Sequence, residues 1–413
     1  FSSRRRHTRF RNVTGVQTCA LPIFPELGDD AMTSWVRGGD GMVGFGVYKS
    51  QIVKGAQRFA QARQWWREQI SALEIQNNLH GTGTGPVLFT SFSFDPSEDS
   101  LLVIPKVVVA QRNGKSWITW IGDQPQPSLS THHTATQPLD LSWSGSNGDV
   151  WQERVARAVE KIRSEQLEKV VLARFITAHS DRQISERRLL HYLANEYPST
   201  WLYSNNGLVG ATPELLVRLN RSLVTSRVLA GTIRKTGDDE RDLALAGSLA
   251  RSSKDLEEHE YAVRSVADSL SPFCSSMNVP ESPFVLHLSN VMHLATDVTG
   301  VLADNSSPAD IFDLLSHLHP SAAVCGTPRD IAARTIDEIE GISRGRYAGP
   351  IGWIDARGDG ELGIALRCGQ ISSDKKSIRI YAGCGIVAGS DPEREYSESQ
   401  AKLLPMRTAL ERH

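Results

Sequence analysis

The chain has 413 residues, 40% of them hydrophobic and 22% charged, with a formal net charge of −2. Such a composition reads as an ordinary soluble globular protein, and the length alone suggests two or three domains. The charge gives no support to a nucleic-acid partner, and no run of about 18 apolar residues is present to cross a membrane.

Residues 1–23, FSSRRRHTRFRNVTGVQTCALPI, hold five Arg and no acid. The run VTGVQTCALPI looks like a translated sequencing-adapter read; a basic presequence is the alternative. Without these residues, 40 basic side chains face 47 acidic ones. Cys274, Cys325, Cys368 and Cys384 then remain. With no CxxC spacing they indicate neither a zinc site nor a redox pair, and they suit a reducing cytoplasm.

SWVRGGDGMVGFGVY predicts two short strands about a GGDG turn. Residues 56–73 are amphipathic, with Phe59, Trp65, Trp66, Ile70 and Leu73 near helical spacing. PVLFTSFSFD, LLVIPKVVVAQ and SWITWIG predict strands, the last two joined by an RNGK hairpin turn. This part, residues 24–148, holds no acid–base constellation and reads as scaffold. Its end, 123–148, is rich in Pro, Ser, Thr and Gly and predicts a loop or linker. His132 and His133 sit there, in a polar setting that suits exposure better than metal binding.

From residue 149 the pattern sharpens. Helices are predicted over 151–166, 184–196, 241–249, 254–270, 309–316 and 329–338. Between them lie the strands EKVVLARFITAHS, TWLYSN, GLVGAT, ELLVRLN, SLVTSRVLAG and VLHLSNVMHLATDVTGVL. PIGWIDARGDGELGIALRCGQ predicts a hairpin turning at 358–360. The last stretch, 379–402, joins a Gly-punctuated β run to a helix starting at Ser390, Asp391 and Pro392.

That stretch carries the strongest chemical signal. Gly383 and Gly385 leave the backbone bare, so its N–H groups can approach a ligand. Glu395, Glu398 and Lys402 fall at i, i+3 and i+7, on one helix face. They suggest a Mg²⁺ site beside an anion site, with a solvated, salt-bridged face as the alternative. Asp255 and Glu258 form a second acidic i, i+3 pair on the 254–270 helix. Mg²⁺ takes a few carboxylates plus water and substrate oxygens.

Single residues add to this. Lys169 opens a strand ahead of an apolar run; buried, it becomes a base near neutral pH, and exposed, it is only a rim charge. Glu214, after Pro213, can have a raised pKa and serve as a general acid. His293 lies in an apolar β segment. His319 precedes the short run PSAAVCGTP, which can line a pocket. Arg367 can fork onto a carboxylate, and Tyr347 offers a hydroxyl.

Together these blocks resemble the chorismate-utilising enzymes, most closely the isochorismate synthases, over roughly residues 151–410. KVVLAR resembles the block with the catalytic base, Lys169, and ATPELL the block with the general acid, Glu214. LAGTIR implies Gly231 and Thr232 in the site. KDLEEH implies metal ligands Asp255 and Glu258. VMHLAT supplies His293, and HPSAAVCGTP the wall residues Ala323 and Val324. RYAGPIGW and ALRC supply Tyr347 and Arg367. AGCGIV and EREYSESQAK supply Gly383, the metal ligands Glu395 and Glu398, and Lys402.

The resemblance implies an α/β (α+β) fold: one large domain with two packed antiparallel β-layers and outer helices. Residues 24–148 are then the N-terminal β-rich part of that fold, with a weaker likeness, and 149–413 the chorismate-binding catalytic region. It implies a Mg²⁺-dependent, cytoplasmic isomerase that exchanges the C4 hydroxyl of chorismate for a water oxygen at C2. A small-molecule substrate, no nucleic acid, no membrane and a monomer or weak homo-oligomer are expected. Lys169 disfavours anthranilate-forming relatives, which have Gln there, and Ala230 disfavours aminodeoxychorismate-forming ones, which have Lys. Ala323 leans away from salicylate-forming relatives, which tend to have Thr. Salicylate synthase and a non-catalytic metal-binding partner subunit remain the alternatives.

Overall fold

The computed structural model describes residues 7–8, 10–11, 31–79, 81–122, 138–145, 148–164, 167–304 and 309–412. His132, His133 and most of the expected adapter segment 1–23 lie outside the described residues.

Turn chemistry fixes the first strands. Gly38 (φ 58°) and Gly39 (φ 90°) close the hairpin between Met32–Arg37 and Asp40–Val53. Asn113 (φ 50°) and Gly114 (φ 73°) are both left-handed, as a two-residue hairpin turn requires, and join Ser100–Arg112 to Lys115–Trp120.

A continuous antiparallel series connects the strands. Its first arm runs from Leu141–Gly145 through Lys169–Ser180, Ser377–Ile386, Cys368–Ile371, Leu208–Thr212 and Trp201–Asn205 to Met32–Arg37. Asp40–Val53 and Ser100–Arg112 make the corner. The second arm continues through Val87–Ser91, Pro350–Asp355, Gly360–Ile364, Leu215–Asn220 and Leu223–Arg234 to Val291–Leu302. The two arms share one core, with Trp35, Trp201 and Tyr203 of the first against Phe89, Trp353 and Leu362 of the second. Glu361, in the second arm, accepts from the indole N–H of both Trp35 (2.9 Å) and Trp201. Strands on either side of residue 148 pair directly, as Val87–Ser91 with Pro350–Asp355.

Helices cover the outer faces because each has one apolar stripe. Glu186–Glu196 sets Leu189, Leu190 and Leu193 among Leu403, Met406 and Leu410 of Pro392–Glu411. Gly148–Ser164 sets Trp151, Val155 and Ile162 among Val170, Leu172 and Ile336. Each fully buried Leu contributes about 2 kcal/mol. Ser253–Leu270 buries Ala262, Val266 and Leu270 in the shared core.

Two sequence expectations change. The supposed linker 123–148 contains a strand, Leu141–Gly145, which pairs with the end of Lys169–Ser180. The run GELGIALRCGQ is not one hairpin arm. It breaks at 365–367, where Arg367 takes φ 49° and the chain crosses from the second arm to the first. Pro213 and Glu214 make the reverse crossing, between Leu208–Thr212 and Leu215–Asn220. The crossings lie side by side: Ala211 N–H donates to the Arg367 carbonyl (3.2 Å) and Ile364 N–H to the Glu214 carbonyl (3.3 Å).

Candidate active site

The paired crossings place an acid and a guanidinium at the mouth between the two arms. One cavity there is lined by Glu214 and Glu258 and by Gly231, Thr232, His293, Ala323, Tyr347, Arg367, Gly383 and Lys402. All eight residues expected to hold substrate therefore converge, from sequence positions 231 to 402.

Glu214 is buried, and burial pushes its carboxyl up to about 8 against the pull of Lys169, Arg367 and Lys402. Lys169, fully buried, directs its ammonium to Glu258 Oε1 at 3.2 Å. Burial works against the Glu258 carboxylate, but the ammoniums of Lys169, Lys402 and Lys254 hold its pKa below the ordinary value. Gly385 makes room for this pair: a Cβ there would lie 2.1 Å from Glu258 Oε1 and 3.0 Å from Lys169 Cε.

The glycine backbone follows from register. Ala173 stands opposite Gly383, and Val171 opposite Gly385. Ala173 N–H goes to Glu340 Oε2 (2.7 Å) and Val171 N–H to the Cys325 carbonyl (2.7 Å), both away from the partner strand. These are thus non-hydrogen-bonded pairs, and Gly383 and Gly385 present their own backbone groups on the opposite side. The Gly383 carbonyl accepts from Lys402 Nζ at 2.9 Å.

Burial, with Arg367 and Lys402 nearby, drives the His293 pKa well down, so its ring is neutral. Arg367 Nη2 lies 3.3 Å from Nε2 and can only donate, so Nε2 accepts. Nδ1 then carries the proton and donates to Thr232 Oγ1 at 3.0 Å. The ring is a spacer that aims the Arg367 fork into the cavity. Gly231 (φ 77°) forms a bulge between Ala230 and Thr232, and a Cβ on it would meet Asp255 Cβ at 3.0 Å.

The four expected metal carboxylates project from two helices, Ser253–Leu270 and Pro392–Glu411. They do not meet at one point. Glu395 and Glu398 have ligand atoms within 4.8 Å of one another and of Cys384 Sγ. Glu258 turns to Lys169, Glu395 to Lys254 (2.8 Å), Glu398 to Lys402, and Asp255 is hydrogen-bonded by Ser252 Oγ. Like charges in a desolvated place separate toward whatever cations or donors are near. Burial, then repulsion from Glu258 and Glu398, raises the Asp255 pKa; burial, then Glu398, raises that of Glu395. Burial also keeps the Cys384 thiol protonated. An oxygen-only, mutually repelling donor set of this kind fits a hard divalent cation.

Sequence reasoning missed Arg344, which lines the cavity, and its partner Glu340. Nothing in their spacing distinguishes them from surface charges. His319 is placed differently from Ala323 and Val324: it is buried against the edges of Phe59 and Phe94, outside the cavity lining.

A family model described as chorismate binding enzyme matches residues 34–411. The chain belongs to the chorismate-binding enzyme family. The match includes the β-rich region before residue 149, where the sequence alone carried only a weak likeness. Isochorismate synthase MenF of Bacillus subtilis is 31% identical over 391 residues, 86% of this chain and 82% of that protein. Isochorismate synthase DhbC of Bacillus subtilis is 33% identical over 343 residues, 79% of this chain and 81% of that one. DhbC from Bacillus anthracis has the same architecture, with a TM-score of 0.77 at 29% identity over 92% of this chain and 96% of its own. The fold is thus that of chorismate-binding enzymes, and no helix among the described residues is long and apolar enough to cross a membrane.

Proposed function

We propose that the protein is an isochorismate synthase: it adds water at C2 of chorismate, expels the C4 hydroxyl and shifts the ring double bonds. The observation that carries this reading is the buried, proton-holding Glu214 lining one cavity with Glu258, whose carboxylate the buried Lys169 meets from behind the lining at 3.2 Å.

Each residue's part follows from its surroundings. Water is a poor nucleophile, so Lys169, acting as the neutral amine, removes its proton as the oxygen attacks C2, which leaves the ammonium beside Glu258. Hydroxide is a poor leaving group, so Glu214, neutral below about pH 8, gives its proton to the departing C4 oxygen. One water enters and one leaves. Arg367 and Lys402 hold substrate carboxylates, with the bare backbone at Gly383 completing the cradle. Asp255, Glu258, Glu395 and Glu398 are the residues that would hold Mg²⁺, which supplies charge to bind the ring carboxylate and to stabilise negative charge developing there. Ala323 and Val324 form a small apolar wall against the ring. The relatives' names offer menaquinone and siderophore supply as settings, and a cytoplasmic location suits both.

The test is the product list from chorismate with pure protein, with and without Mg²⁺. Isochorismate formed only with the metal is expected. Salicylate with stoichiometric pyruvate would replace this reading by a salicylate synthase. No turnover with intact Mg²⁺ binding would leave a metal-binding partner subunit.

A further inference from the structure

The strand that carries Lys169 has an incomplete neighbour on one side. Gly326–Thr327 pairs with Lys169 and Val170 and then stops. Beyond it, Val171 N–H still reaches the Cys325 carbonyl (2.7 Å), but the Val171 carbonyl and the Ala173 N–H are taken by side chains. Arg344 Nη2 donates to the Val171 carbonyl (2.7 Å), and Ala173 N–H donates to Glu340 Oε2 (2.7 Å). Glu340 and Arg344 are joined to each other by two bonds, Nε to Oε1 (2.7 Å) and Nη2 to Oε2 (2.5 Å). Nη1 of the same guanidinium donates to the Val324 carbonyl at 2.9 Å. Its Cζ lies over the Phe94 ring, 4.1 Å from the centroid. Both charged side chains are buried.

One ion pair therefore ties three things: the base-bearing strand, the Ala323 and Val324 wall, and the helix Arg329–Glu340 that ends at Glu340. An unpaired strand edge in a core must be satisfied; the Cys325 carbonyl meets only the Val171 N–H, and the ion pair meets the next two groups while also reaching the Val324 carbonyl. The fork geometry of Arg is what reaches both.

We propose that Glu340 and Arg344 are a positioning pair that sets the spacing between the Lys169 strand and the Ala323 and Val324 wall. The pair acts on turnover, not on binding of substrate or metal. This rests on the reading of the cavity as a chorismate site.

The experiment uses Arg344→Lys, Glu340→Gln, their double variant and the milder Phe94→Leu, which removes the ring under the guanidinium. Arg344→Lys keeps the charge but cannot span Glu340, Val171 and Val324 together. Displacements near 1 Å at a reacting centre cost roughly 100-fold. We expect kcat to fall about 10- to 100-fold in the first two variants and less in Phe94→Leu. The chorismate KM should stay within about threefold, and the Mg²⁺ dissociation constant, measured by calorimetry, should not change. The double variant should lose little more than either single one, as members of one unit do. Hydrogen exchange adds a readout independent of turnover: the Ala173 amide should exchange faster in Glu340→Gln.

A folded Arg344→Lys or Glu340→Gln with kcat within twofold of the parent overturns the proposal. So does a KM that rises while kcat holds, which makes Arg344 a direct carboxylate contact. If the single variants do not fold, an unchanged kcat in Phe94→Leu with faster Ala173 exchange overturns it. Failure of the parent to convert chorismate, with Ala173 exchange behaving as expected, removes the proposed function and leaves the clamp.

Discussion

At the scale of single residues, the site depends on groups kept in protonation states that water would not allow. Glu214 has the proton it needs because burial outweighs three nearby cations. The acid form is complete well below pH 8 and is lost as pH rises through about 8. Glu214→Gln should therefore lower kcat by about 100- to 10,000-fold and remove the basic limb of the pH–rate profile; a limb near pH 8 that survives would assign it to another group. The same shift bears on stability. The folded state keeps a proton that the unfolded chain releases above its ordinary carboxyl pKa. Folding is thus progressively penalised as pH climbs from that value to about 8. Glu214→Gln should flatten this part of a melting-temperature profile. Gly385 makes a second residue-scale case. Gly385→Ala would press a methyl into Glu258 and Lys169 at once, so turnover should fall at least tenfold while circular dichroism stays native. A fully active variant would mean that the pair has slack.

At the scale of elements, helix ends and strand crossings do the placing. The C-terminal helix starts where Asp391 accepts from Arg394 N–H at 3.0 Å, one turn before Glu395 and two before Glu398. Asp391→Ala should cost about 1 kcal/mol of stability, read as a lower denaturation midpoint at unchanged slope. It should also weaken Mg²⁺ binding, because Glu395 rides on that first turn and Glu398 on the next. Equal metal affinity in the variant would mean that packing of Leu403 and Met406 alone fixes the helix. The Arg367 crossing has a different cause: a left-handed residue breaks an apolar run that otherwise reads as one strand. A β-period pattern carries no mark of the layer to which each half belongs.

At the scale of the whole molecule, two arms of one β series close on a common core, and the cavity exists only where they meet. Glu361 ties the arms through Trp35 and Trp201 and is paired with Arg218 at 2.5 Å. The folded state also keeps His319 neutral. Burial first, then the charges of Arg58, Arg329 and Arg344, push its pKa down to about 3. The unfolded chain takes up this proton below about 6.5, so stability should decline as pH falls from there toward 3. His319→Gln should reduce the drop in melting temperature between pH 7 and pH 5. An unchanged drop would place acid sensitivity elsewhere.

Local chemistry is legible in the chain itself. Hairpin turns at Gly38 and Asn113, the helix start at Asp391, and the carboxylate face at Glu395 and Glu398 are set by neighbours within a few residues, and the structure keeps them. Block order also made the family resemblance legible, and with it the residues that line the cavity. What no local rule contains is which strand pairs with which. The strand at Leu141, the layer change at Arg367 and the Glu340–Arg344 clamp on Val171 and Ala173 all come from contacts between distant segments. Those contacts are chosen by shared burial and by the need to satisfy every buried backbone group, and only the folded chain brings those demands together.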